Sequence, residues 1–130
     1  LSGNAQFGDV QFPGGTHHAA MWKGTAASYV SLHPPTALAS TIFACNATMQ
    51  VGLIADAEKH NHAMAWSSTA ASAFDLSTLL PKDKNFVNSE ARGIDAAGNI
   101  VGVAWDKDNN TTPILWARAG AAAPPASRPK

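Results

Sequence analysis

The apolar positions between about residues 36 and 80 fall into four short runs, each bounded by turn or polar residues. They predict strands at about 38 to 44, 49 to 56, 62 to 68 and 72 to 79. The stretch Thr48–Asp56 partly alternates and has no helical period, so no helix is expected between 49 and 79. Gly52 inside that run predicts a bulge or a close backbone approach. Further on, Ala97-Gly98-Asn99 stands before the apolar run Ile100–Trp105 and predicts a tight hairpin turn feeding a buried strand.

The same pattern returns along the chain. Gly8, Gly52 and Gly102 each stand fourteen residues before a tryptophan, at Trp22, Trp66 and Trp116. His18-Ala19 matches His62-Ala63, Thr25–Ser28 matches Thr69–Ser72, and Leu32 matches Leu76, which sets the first two repeats 44 residues apart. The third is offset by 50, with the excess in the polar loop Pro81–Asn85. A fixed period of this length marks an array of supersecondary units, and four strands in 44 residues match one propeller blade. The expected fold is therefore all-β: three tandem four-stranded, blade-like repeats, a partial β-propeller completed by self-association. Repeat one takes residues 1–35 and lacks its first strand; repeat two, 36–81, is complete; repeat three, 82–120, lacks its last; and 121–130 is an Ala/Pro-rich tail. Gly52 and Gly102 should then occupy equivalent strand positions, with Trp66 and Trp116 on the next strand of their own sheets.

The segment Ser89–Gly102 resembles the HAF-type extracellular repeat of bacteria, whose pattern runs from a Gly-Ile-Asn-like turn through a Gly-Gln/Asn-Val-Val-Gly strand to His-Ala-Phe-x-Trp and Asp-Leu-Gly-Thr-Leu-like stretches. His18–Trp22 and His62–Trp66 look like the His-Ala-x-x-Trp strand, and Asp75–Leu79 looks like the stretch after it. The likeness covers residues 1 to about 120. It departs where Ala20 or Met64 replaces the Phe, and where Thr112-Pro113 replaces His-Ala. The resemblance implies a blade-like unit and secretion, hence a secreted or cell-surface location, and no reaction.

Composition narrows the function. Nine Lys plus Arg balance nine Asp plus Glu, so no long-range field draws the chain to nucleic acid or to an anionic membrane. No apolar run approaches the roughly 18 residues of a bilayer-spanning helix, so membrane insertion is not expected. The first residue is Leu1, which reads as a processed or excised product. Cys45 is the sole cysteine and reads as core filler. No nucleophile elbow, phosphate loop or dinucleotide fingerprint is present, and no cofactor is implied, so a non-catalytic protein is expected.

Several residues still invite a binding role. One tryptophan per repeat either seals sheet against sheet or offers a sugar-stacking platform, as a propeller lectin would; Trp22, Trp66 and above all Trp105, outside the repeated position, are the glycan candidates. His18 and His62 either bond a neighbouring repeat's backbone or bind metal, with His60 and His62 alternating on one strand. Asp106 and Asp108 offer oxygen ligands in Asp106–Asn110, without the glycine and distal glutamate of an EF-hand loop. Asn46, Asn109 and Asn110 open glycosylation patterns.

The incomplete end repeats predict a homo-oligomer or a filament. Gly3, Asn4 and Phe7 should complete, or stack upon, the repeat containing Trp116 in a neighbouring copy, and deletion of residues 1–7 should abolish assembly. The expected function is a self-assembling extracellular structural or adhesive subunit; the alternative is a carbohydrate-binding propeller.

Overall fold

A computed structural model describes residues 5–117. Strands β1 (Gln6–Gln11), β2 (His17–Trp22) and β3 (Val30–Ser31) form a first sheet. Strands β4 (Ala39–Cys45), β5 (Gln50–Ala55), β6 (Asn61–Trp66) and β7 (Phe74–Asp75) form a second, and β8 (Phe86–Ile94), β9 (Ile100–Asp106) and β10 (Thr111–Trp116) a third. Every pairing is antiparallel and joins strands adjacent in sequence. The protein is all-β, as its sequence predicts. Three four-stranded units are not seen: among the described residues only the middle sheet has four strands, and the sheets do not close into a ring.

The expected strand at 72 to 79 shrinks to Phe74–Asp75. Single 3-10 turns take Ala70–Ser72 and Leu76–Leu79 on either side, so the stretch expected to lack helix holds two such turns and no α-helix. The cause is local. Thr69 Oγ1 accepts from the Ser72 amide and Asp75 Oδ1 from the Ser77 amide, so side chains bid for backbone groups that a longer ladder would need.

Hairpin chemistry also repeats. Asp56, Asp95 and Asp106 each open a turn by exchanging backbone bonds across it, while the carboxylate Oδ1 accepts from the amide four residues on, at 2.9 to 3.0 Å. The fourth residue must turn left-handed, and Lys59 (φ 68°), Gly98 (φ 95°) and Asn109 (φ 67°) do so.

Register explains the glycines. Gly8 pairs with Ala20, Gly52 with Met64 and Gly102 with Ile114, so the three are equivalent, and each repeated tryptophan lies at the end of the following strand. On their other side, β4 and β8 carry bulges between Ile42 and Ala44 and between Ala91 and Gly93. These push the Thr41 and Glu90 carbonyls into the space that a Cβ on Gly52 or Gly102 would occupy. Arg92, within the second irregularity, lays its guanidinium 4.9 Å from the Phe43 ring centroid, within the first.

Strand alternation gives each sheet two faces, and the sheets stack face to face. Ala19 and Met21 of the first meet Ile42, Met64 and Trp66 of the second. From the opposite face of the second sheet, Val51, Ala63 and Ala65 meet Ala91, Ile100, Ala104 and Trp116 of the third. Serines pin both seams: Ser40 Oγ on β4 accepts from the Ala19 amide at 2.8 Å, and Ser89 Oγ on β8 from the Ala63 amide at 2.9 Å. Both serines are buried and thereby satisfied. Replacing Ser89 with Ala should strand the Ala63 amide and cost about 1 to 3 kcal/mol in chemical denaturation, whereas an exposed serine would give a value near zero.

Candidate functional site

The densest polar cluster surrounds His62 at the start of β6. Its Nε2 lies 2.8 Å from Asp56 Oδ2, in the β5–β6 turn, and its Nδ1 lies 2.8 Å from Asp75 Oδ2 on β7 and 3.1 Å from Ser77 Oγ. A carboxylate at each ring nitrogen favours the imidazolium, in which both nitrogens donate. Burial of the ring opposes that charge, but the hydrogen bonds and charges of Asp56 and Asp75 outweigh burial and hold its pKa above the ordinary histidine value. The His60 amide, then His62 itself, holds the Asp56 carboxyl below its ordinary range. Ser77 Oγ donates to Asp75 Oδ1, so serine, histidine and aspartate do meet here. Both ring nitrogens are engaged by carboxylates, so the cluster acts as a clasp joining a hairpin to the sheet's last strand.

A raised histidine pKa ties stability to pH with a definite sign. The contribution is complete below the unfolded value of about 6.5 and is lost as pH rises through the higher folded value. His33 works in the opposite sense: burial first, then the charge of His18, lowers its pKa, so its contribution is present at higher pH and lost on acidification. The difference in thermal midpoint between the wild type and His62→Gln isolates the clasp. It should be largest near about pH 6 and shrink as pH rises through the raised folded value; a difference that grows with pH would refute the clasp.

The expectation that His18 and His62 bond a neighbouring repeat's backbone is corrected. His62 bonds within its own sheet, and the equivalent His18 stacks on His33, with ring centroids 3.6 Å apart and planes 4° from parallel. The cross-sheet bonds come from the residue after each histidine, through Ser40 and Ser89. Those serines hold equivalent register positions on β4 and β8, opposite Ile54 and Ala104, but stand 49 residues apart where the glycines stand 50 apart, so the shared offset does not pick them out.

The metal set His60, His62, Asp106 and Asp108 is not brought together. His60 and His62 belong to the β5–β6 hairpin and Asp106 and Asp108 to the β9–β10 hairpin. Both nitrogens of His62 are taken by carboxylates. Asp106 Oδ1 accepts from the Asp108 and Asn110 amides, and its Oδ2 from the Asn110 side chain, which is why the carboxyl titrates low; the bonds from Asn110 act most strongly. Asp56, Glu58 and His60 do place potential ligand atoms within 4.8 Å of one another, yet Asp56 Oδ1 is held by the amides of Glu58 and His60. Among the glycosylation patterns, Asn46 spends both ends of its side chain on Thr48, Met49 and Asp95, whereas Asn109 is exposed at a hairpin tip. Cys45 is half-buried at the end of β4.

The tryptophans divide by position. Trp66 is fully buried and cannot face a glycan, which corrects that candidacy, and Trp116 is nearly so, its Nε1 donating to the Leu76 carbonyl in the 3-10 turn after β7 at 3.0 Å. Trp22, in the first sheet, is half-buried with its ring 5.9 Å from that of Tyr29. Trp105 is half-exposed and, by strand alternation, shares a face of β9 with Val101 and Val103.

Assembly contacts expected at the ends are corrected too. Gly3 and Asn4 lie outside the described residues. Phe7 packs against the core between the first and second sheets, and Trp116 lies between the second and third, so neither is an end surface. The true ends were missed from sequence. Val101 and Leu115 are 51% and 36% exposed, although they occupy the positions of Val51 and Ala65, which are 0% and 3% exposed.

Compared with known proteins, the chain matches no family model, no curated protein and no solved structure. Among the described residues, no helix is long and apolar enough to cross a membrane.

Proposed function

We propose that this chain is a non-catalytic extracellular structural or adhesive subunit, built of propeller-type repeats, that assembles with copies of itself through its end sheets. One observation carries the reading: the face of the third sheet bearing Val101 and Leu115 is open to solvent, although the matching faces of the first and second sheets are buried. Covering a large aliphatic side chain contributes about 1.5 to 3 kcal/mol, so a sheet that repeats the covered design without its cover favours association. Zero formal net charge adds no repulsion between copies. The extracellular setting rests on the resemblance of Ser89–Gly102 to the HAF-type repeat.

Sedimentation velocity from micromolar to millimolar concentration tests this. The wild type should form larger species as concentration rises, and Leu115→Glu should weaken association at least about tenfold, the equivalent of 1.4 kcal/mol. A wild type that stays monomeric throughout would end the proposal. A second reading, glycan binding, draws on the Trp22–Tyr29 pair on the first sheet. A saturable change in tryptophan fluorescence on titration with oligosaccharides, lost in Tyr29→Ala, would favour it.

A further inference from the structure

We infer that the cover of the third sheet is the first sheet of a second copy of this chain, stacked head to tail in the same arrangement that joins sheets within one chain. The inference rests on the self-assembly reading above and names its partner surface. Two seams inside the molecule define the arrangement. At each, the odd-numbered face of one sheet receives the even-numbered face of the next: Ala19 and Met21 receive Ile54, Met64 and Trp66, and Ala63 and Ala65 receive Ile100, Ala104 and Trp116. Two faces remain, one of each kind. The third sheet's odd face presents Val101, Pro113 and Leu115, and the first sheet's even face presents the half-buried Val10 and Trp22 around a buried Ala20, the register equivalents of Ile54, Trp66 and Met64.

The burial of the tryptophans follows the same logic. Trp66 and Trp116 each have a preceding sheet to lie against and are 0% and 7% exposed, whereas among the described residues Trp22 has none and is half-buried. The third sheet of another copy, packed onto Trp22, would give it what the other two already have.

A second, independent feature concerns the seam serines. Each internal seam pairs a serine on the incoming sheet's first strand with an amide of the receiving sheet, from Ala19 or Ala63. At the equivalent place the third sheet has Pro113, which has no N–H to satisfy. A seam formed on this face therefore closes over no orphaned amide at that position. In solvent an amide at this position would bond water, and proline would bring no such advantage. Gly8 differs from Gly52 and Gly102 here: a Cβ there would meet only the edge of Trp22, at 3.9 Å, and no backbone carbonyl. A contact between two different faces of the same molecule need not close on itself and continues as a chain of copies.

Blocking each face separately tests this on the full chain. Val10→Lys blocks the head and Leu115→Glu the tail; thermal melts and circular dichroism confirm folding, and Trp22→Gln replaces Val10→Lys if that variant unfolds. By sedimentation velocity the wild type should form a ladder of species. Each variant alone should be monomeric, and an equimolar mixture should stop at the dimer, because one unblocked head and one unblocked tail remain. Two results would overturn the head-to-tail seam while leaving self-assembly standing: head variants that associate like the wild type, or a mixture that stays monomeric while the wild type associates. A wild type that never associates overturns both.

Discussion

Gly52→Ala and Gly102→Ala should be among the most damaging single-methyl changes in the protein, each costing about 3 kcal/mol or more in chemical denaturation, the upper part of the range for overpacking. A Cβ on Gly52 would lie on the Thr41 carbonyl oxygen, 2.9 Å from its carbon and 3.0 Å from the Ile42 Cα. One on Gly102 would meet the Glu90 carbonyl in the same way, 3.0 Å from its carbon. Every obstructing atom is backbone, held by the ladder on both sides of the bulge, so no rotamer change relieves the overlap. Gly8→Ala provides the internal control. It shares the register but faces no such carbonyl, and it should cost less than about 1 kcal/mol. Equal losses at all three positions would refute the bulge account.

Trp66→Ala should cost about 3 to 5 kcal/mol, the range for deleting a large buried aromatic. Trp66 is the largest fully buried side chain, and it sits between the first and second sheets with Met21, Leu32, Ile42 and Met64. Truncation leaves a cavity at a seam whose strands cannot collapse without breaking register. Its Nε1 has no hydrogen-bond partner among the protein atoms. Trp66→Phe, which removes that polar atom along with part of the ring, should therefore cost much less than the alanine variant. Trp22→Ala should be mild in dilute solution, because Trp22 is only half-buried. A loss under about 1 kcal/mol for Trp66→Ala would show that the seam does not depend on this ring.

The sequence by itself determined the all-β class, the offsets of 44 and 50, the equivalence of the three glycines and the place of each tryptophan one strand later. These follow from spacing, and a ladder transmits spacing directly, since a one-residue slip would turn every side chain to the wrong face. The hairpin at Ala97–Asn99 was legible for a similar reason: glycine at the left-handed position is a local requirement. The fate of the fourth strand was less legible, because Thr69 and Asp75 bond backbone amides and cut it to two residues. Only tertiary structure decided which equivalent positions are inside. Val51 and Val101, or Trp66 and Trp22, occupy the same register yet differ from buried to half-exposed. Burial depends on whether another sheet packs against that face, and that is a property of neighbours, not of the repeat. His62 shows the same division: its recurrence with His18 is written in the sequence, but its raised pKa comes from Asp56 and Asp75, which the fold brings to opposite sides of one ring.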